Sequence, residues 1–162
     1  MRSGRDYIAG VRRAYCGELA ASQVYGLLAE QRSGAGEKAK LAAIAAVEAR
    51  TAAVLMPIAV RLGIACDMHD LSETVRRRVG ELRALTWTQL IDQALASWPP
   101  YIAEFEALAR DAPAGDAGAM EFLVAHERAL VAFLRIEASR PQTLDSIAPL
   151  EALLERAPGA AS

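Results

Sequence analysis

Apolar residues recur every three to four positions along most of the chain, the spacing that places them on one face of an α-helix. The pattern predicts a first helix over about residues 6–31 and a second over about 37–62, joined by a short turn. So short a link makes the two helices antiparallel neighbours. Pro57 lies inside the second helix, where it is expected to kink the last turns or to leave one carbonyl without a donor.

A long link then separates this helical pair from the next helix. Residues 63–85 have the length of a crossover between the two ends of a bundle, and they include a minor helix over about 72–83. A third helix over about 86–110 opens on a Thr-x-x-Gln capping box. Its Pro99-Pro100 pair predicts a bend or a break.

The last part of the chain completes a second helical pair. A fourth helix is predicted over about residues 116–139, where Pro141 stops it, and a short fifth helix over about 143–156. The order of hairpin, crossover and hairpin predicts one all-α domain spanning residues 1–162. Its core is a four-helix, up-down-crossover-up-down bundle over about residues 6–139.

Three glutamates interrupt the apolar faces of these helices. Glu18, Glu48 and Glu127 each lie at the middle of such a face, on the first, second and fourth helix. An ionised carboxylate in an apolar interior is costly unless it is paired, metal-bound or protonated. Three of them on three helices predict a site inside the bundle.

The pattern resembles the ferritin-like superfamily, and locally the rubrerythrin-type proteins, in which a Gly-Glu pair is followed by a tyrosine seven residues on. Here Gly17-Glu18 precedes Tyr25. The resemblance implies two metal ions, usually iron, held between four helices. Helices one and three then each provide a glutamate, and helices two and four each provide Glu-x-x-His.

Carried over residue by residue, the resemblance supplies only half of that ligand set. Glu18 matches the glutamate of helix one, and Glu48 and Glu127 match the two bridging carboxylates. Thr51 and Leu130 stand where the two histidines are expected. Three carboxylates can hold one cation completed by water. The predicted cofactor is therefore either none or an atypical metal ion, iron or manganese.

The remaining candidate ligands are weaker. His126 lies about 100° around the helix from Glu127, since successive helical residues are rotated by that angle, and is interpreted as a packing histidine. His69 is placed in a solvated loop. Glu104 and Glu106 flank the apolar face of helix three without occupying it.

Without a metal, three converging carboxylates raise the pKa of at least one of them, an arrangement suited to general acid–base catalysis. Four side chains near them are candidates for binding a small substrate: Tyr15, Tyr25, Thr51 and Trp98. Trp98 belongs to an aromatic row at helical spacing, which favours a core residue over a wall of a ligand site.

Two functions follow. The first is a small-molecule enzyme that uses Glu18, Glu48 and Glu127 as an acid–base or an atypical metal site. The second is a non-catalytic ferritin-like protein that has lost its metal and binds a ligand or associates with itself. Whether the chain is an enzyme is left open.

Composition argues against two classes of partner, nucleic acid and the membrane. A net charge of −2 gives no general attraction to nucleic acid. The apolar stretches are interrupted by charges, which argues against a membrane span. Cys16 and Cys66 have no metal-binding spacing. They could pair with each other, but without a recognisable secretory signal two free thiols of a cytoplasmic protein are favoured.

Self-association is predicted from a second apolar face on the first helix. This face is formed by Cys16, Ala20, Val24 and Leu27. A monomeric bundle does not require it, so a homodimer is expected.

Overall fold

A computed structural model describes residues 4–140 and 143–156, and the described chain is all-helical. The α-helices are α1 Gly4–Gln31, α2 Ala35–Arg61, α3 Met68–Leu82, α4 Trp87–Ser97, α5 Pro99–Arg110, α6 Ala117–Ser139 and α7 Ala148–Arg156. Short 3-10 turns precede α6 and α7. The predicted all-α class is confirmed. The predicted helices lie within about five residues of their expected ends, except that the third is divided into α4 and α5.

The helices pack around α1, α2 and α6. α1 packs along α2, and α3 packs on α1. α6 contacts α2, α4, α5 and α7. Because neighbours lie on several of its sides, α6 is buried around most of its circumference.

The two proline predictions have different outcomes. The third predicted helix breaks into α4 and α5 at Pro99, where proline occupies the first turn of α5 and needs no amide donor. The capping box at the start of α4 is present, with Thr86 and Gln89 as its two members. By contrast, α2 continues through Pro57, which lies on its exposed side. The carbonyl of Ala53 that loses its donor there is also on the exposed side.

The second apolar face of α1 is covered by α3, so the exposed seam predicted for self-association is wrong. Ala20 and Val24 are buried in the same core cluster as Leu71 and Val75 of α3. Leu27 alone remains 40% exposed. The homodimer stays a prediction, but this face no longer supports it.

The prediction of two free thiols is also wrong, because Cys16 and Cys66 form a disulfide with their Cα atoms 5.7 Å apart. The bridge ties α1 to the α2–α3 loop, and the Arg12 guanidinium donates to the carbonyl of Ala65 at 2.8 Å beside it. A separation of 50 residues hides such a pair from local sequence patterns. Disulfides persist mainly in oxidising compartments, so the cytoplasmic prediction loses the support of these residues.

α2 is the one helix among the described residues that is long and apolar enough to cross a membrane, with a mean hydropathy of 1.6 over its best window. Core helices of soluble proteins meet the same criterion of length and hydropathy, so it does not by itself indicate a membrane span. α2 buries Lys40 and Glu48 against its neighbours.

Two polar networks lie near the opposite ends of α2. At one end, Lys40 of α2 lies 2.6 Å from Glu137 of α6, and the indole of Trp87 donates to the same carboxylate at 2.7 Å. At the other end, Asp116 accepts from the Tyr7 hydroxyl at 2.9 Å and pairs with Arg61. Sequence analysis identified neither network.

Candidate metal centre

A polar layer divides the apolar core at mid-height. Two apolar clusters lie on either side of this layer. On α1 the first cluster extends to Ala14 and the second begins at Ala20. On α2, which runs in the opposite direction, the second cluster extends to Val47 and the first begins at Leu55. The gap is filled by four ionisable side chains, none more than 5% exposed: Glu18 of α1, Glu48 of α2, and His126 and Glu127 of α6.

His126 lies at the centre of this layer. Its Nε2 atom is 3.0 Å from Oε2 of Glu48 and 3.5 Å from Oε2 of Glu18. One potential ligand atom from each of these three residues lies within 4.8 Å of the others. His126 is thus buried against two carboxylates, a contact that its interpretation as a packing residue did not include. Adjacent residues His126 and Glu127 both point inward because α6 is buried on more than one face.

Glu127 lies at the edge of the layer and does not complete the predicted trio of glutamates. Its Oε2 accepts a short hydrogen bond from the indole nitrogen of Trp98 at the α4–α5 break. Its charge still acts on Glu18 and on His126, so it belongs to the same electrostatic unit. The structure thus replaces Glu127 with His126 as the third member of the central group.

The four groups strongly perturb one another's titration. Burial raises the pKa of Glu18 well above its ordinary value of 4.5, and the nearby Glu48 carboxylate adds to this rise. Burial also opposes ionisation of Glu48, but His126 outweighs it and lowers the pKa of Glu48. Burial raises the pKa of Glu127 to about 7. For His126, burial disfavours the charged form, but Glu48 outweighs this and raises its pKa.

The central group is only partly satisfied by its own contacts. Oε2 of Glu18 is buried without a hydrogen bond, and neither ring nitrogen of His126 makes one of good geometry, although Nε2 lies 3.0 Å from Oε2 of Glu48, within ion-pair distance. Leaving a buried polar atom unsatisfied costs about 1–3 kcal/mol. Such atoms therefore call for an explanation, and converging orphan atoms are what a missing ligand would satisfy.

The donor set suits a divalent transition metal. Two carboxylate oxygens and one imidazole nitrogen are ligands that iron, manganese and zinc share. Adjacent donors around an ion with bonds of about 2.1 Å lie roughly 3.0 Å apart in octahedral and 3.4 Å apart in tetrahedral geometry. The separations of 3.0 and 3.5 Å from His126 are close to these values. Glu18, Glu48 and His126 could therefore hold one ion.

The four predicted substrate-binding residues lie in different surroundings. Thr51 is buried, but its hydroxyl donates to the carbonyl of Val47 at 2.9 Å, within its own helix. Tyr15 is half-buried against the apolar cluster on one side of the polar layer. Tyr25 is buried on the other side, and burial raises the pKa of its hydroxyl. Trp98 hydrogen-bonds Glu127, as described above.

Tyr25 and Trp98 meet at an apolar cleft. The cleft is walled by side chains of α2, α4 and α6, among them Leu90 and Leu134, and Arg78 of α3 also lines it. Because Trp98 contacts both the cleft and Glu127, the indole separates the cleft from the polar layer.

The carboxylates of the third predicted helix take no part. Glu104 pairs with Arg13 at 2.6 Å and Glu106 pairs with Arg128 at 2.7 Å, both on the protein surface. Their predicted position beside the apolar face is confirmed. His69 is exposed in the first turn of α3, where its amide is capped by Asp67.

Comparison of the chain with models of known protein families, with curated proteins and with solved structures finds no match.

Proposed function

We propose that this chain is a ferritin-like metalloprotein that binds one divalent transition-metal ion, iron or manganese, through Glu18, Glu48 and His126. The observation that carries the proposal is the convergence of three buried donors from three helices, with one ligand atom of each within 4.8 Å of the others. A bound ion would give Oε2 of Glu18 the partner that it lacks and neutralise the charge that the carboxylates bring into the core.

The ferritin-like assignment rests on the helix order and on the placement of the carboxylates. Glu18 follows Gly17 and precedes Tyr25 by seven residues, and Glu48 lies on the next helix. The chain departs from the family pattern in taking its histidine from position 126, directly before Glu127, and in providing no ligand from α4 or α5. One ion in place of two is the consequence we infer.

The residues around the proposed ion have distinct roles. Glu48, whose pKa is lowered, is the anionic ligand at neutral pH, and Glu18 becomes a ligand by releasing its proton. Glu127 has a pKa of about 7 and can accept or donate a proton beside the centre, with Trp98 fixing its orientation. When bound, the metal would supply Lewis-acid or one-electron chemistry to a small molecule.

The cleft beside Trp98 does not define a substrate class. Its volume is about 30 Å³, far below the several hundred Å³ of an ordinary ligand pocket, and Arg78, Gln93 and Ser97 line it together with the apolar residues.

The proposal predicts that metal ions stabilise the protein through the central group. Adding Mn²⁺, or Fe²⁺ without oxygen, is expected to raise the melting temperature, because ligand at 100 times its Kd adds about 2.7 kcal/mol to stability. The shift should be lost in His126→Gln. It should persist in Glu104→Gln, which removes a surface carboxylate outside the layer. Equal shifts in both variants would show that metal binds elsewhere.

A second candidate function is metal-free acid–base catalysis. It is favoured by the pKa of about 7 for Glu127, because a group that is half-protonated near neutral pH beside the ionised Glu48 is suited to proton transfer. A structural relic is less favoured, because a relic should have satisfied its own polar atoms, whereas Oε2 of Glu18 is buried without a hydrogen bond.

A further inference from the structure

The outward face of α2 carries an uninterrupted row of apolar residues. Eight of them recur at alternating intervals of four and three: Ala35, Ala39, Ala42, Ala46, Ala49, Ala53, Met56 and Val60. All eight are exposed, and two are large, with Met56 49% and Val60 73% exposed. We call this row the α2 seam. It is a separate surface from the inward face of α2 that carries Glu48.

The spacing of the α2 seam identifies the kind of surface that covers it. Apolar residues repeating every 3.5 positions on average form the seam along which two helices pack as a left-handed coiled coil. The seam extends over about 38 Å at 1.5 Å per residue. With a width of about 10 Å it exposes roughly 400 Å², within the size range at which an apolar patch on a monomer is often functional. Less than half of the most apolar window of α2 is buried, 44%.

We propose that a second copy of this chain covers the α2 seam, with the two α2 helices antiparallel about a two-fold axis between Ala46 and Ala49. The order of the intervals, four-three-four-three-four-three-four, is the same read in either direction. An antiparallel copy therefore brings every seam residue level with another seam residue: Ala35 with Val60, Ala39 with Met56, Ala42 with Ala53, and Ala46 with Ala49. This self-complementarity is what an isologous interface requires.

Side-chain size supports the same register. The two large residues, Met56 and Val60, lie at one end of the seam, and the small Ala35 and Ala39 lie at the other. Antiparallel pairing places large against small at both ends, which fills the interface evenly, whereas parallel pairing would crowd one end. Alanines at the centre allow the two helices to approach closely.

The charges beside the seam do not oppose this arrangement. In an antiparallel pair each edge of the seam meets the same edge of its partner. One edge carries Lys38 followed by Ala45, Ala52 and Ala59, and the other carries Arg50 with Gly36, Ala43 and Pro57. Each cation therefore faces small uncharged residues, and no two like charges meet.

The oligomeric state of the full chain, measured by sedimentation equilibrium, tests the proposal. Wild type is expected to be a dimer. Ala46→Glu and Ala49→Glu, made separately, each place a charge beside the two-fold axis, within one helical turn of its own copy, and should raise the dimer Kd on the order of 100-fold or more. Ala103→Glu is the matched control, since it makes the same change at an exposed helical alanine of α5. It should leave the dimer intact.

The register has its own test, which does not depend on destabilising the protein. After treatment with a short bifunctional maleimide, Ala42→Cys mixed with Ala53→Cys should give a cross-linked dimer, and Ala42→Cys alone should not. The native cysteines are held in their disulfide and do not compete. A monomeric wild type, dimers that survive both glutamate variants, or cross-linking of Ala42→Cys with itself would overturn the proposal. So would a monomer that binds anionic vesicles through the seam.

Discussion

Replacing Glu137 with glutamine is expected to lower the free energy of unfolding by about 3–5 kcal/mol at pH 7, because it leaves a buried lysine without its counter-charge. The side chains of Lys40 and Glu137 are 2% and 0% exposed, and their charged atoms are 2.6 Å apart. Chemical denaturation of wild type and variant measures the difference. A loss below about 1 kcal/mol would mean that water reaches Lys40.

The same pair gives a defined pH dependence. Burial disfavours ionised Glu137, but Lys40 and the hydrogen bonds from Ser146 and Trp87 outweigh it and lower the pKa of this carboxyl below 4.5. Its contribution to stability is therefore complete above pH 4.5 and is lost as the pH falls through the folded-state pKa. The stability gap between wild type and Glu137→Gln should narrow in the same range. Lys40→Met combined with Glu137→Gln should recover most of the loss, because no unpaired charge remains.

Glu18→Gln is expected to have the opposite effect and stabilise the metal-free protein. Burial and the nearby Glu48 raise the pKa of Glu18 in the folded protein, whereas in the unfolded chain it ionises at its ordinary pKa, so folding above pH 4.5 takes up a proton. The cost grows by about 1.36 kcal/mol for each pH unit from 4.5 up to the folded-state pKa. Glutamine removes that cost while keeping the shape of the side chain.

The sign of this effect distinguishes a metal ligand from a structural relic. The penalty from a raised pKa is absent below pH 4.5 and grows as the pH rises, so the gain from Glu18→Gln should be greatest at neutral pH and vanish in acid. The same variant should lose its stabilisation by Mn²⁺. Glu104→Gln, outside the polar layer, should show neither change. A variant that is less stable at every pH would indicate that Glu18 supports a hydrogen-bonded relic.

The helices were predictable because each has its own periodic face and terminal signals. The proline pair at 99 and 100 marked the break between α4 and α5, and Thr86 and Gln89 marked the start of α4. Glu18 and Glu48 were predictable for the same reason, since a carboxylate in the middle of an apolar face is visible in the sequence alone.

What sequence periodicity missed depended on three-dimensional neighbours. His126 was set aside because a helix was assumed to have one buried face, whereas α6 is surrounded by four helices. The Cys16–Cys66 bridge joins positions that no local pattern relates. The Lys40–Glu137 pair did leave a signal, because Lys40 lies one turn before Ile44 on the buried face of α2. Its partner, however, is decided by how α2 packs on α6.

The α2 seam also shows that sequence periodicity alone does not decide which apolar face of a helix is buried. Its heptad spacing is present in the sequence, but α2 has apolar residues on both faces, and only the packing of α1 and α6 decides which face is left outside. The face of α1 first expected to be exposed is instead covered by α3.

The most direct test of the central claim is the metal content of the protein, expressed without an affinity tag and analysed by elemental mass spectrometry. Wild type and the Glu104→Ala control are expected to contain close to one equivalent of iron or manganese per chain. Glu48→Ala, which removes the ionised ligand, is expected to contain almost none. Wild type that stays free of metal after supplementation, or Glu48→Ala that retains it, would contradict a metal centre at Glu18, Glu48 and His126.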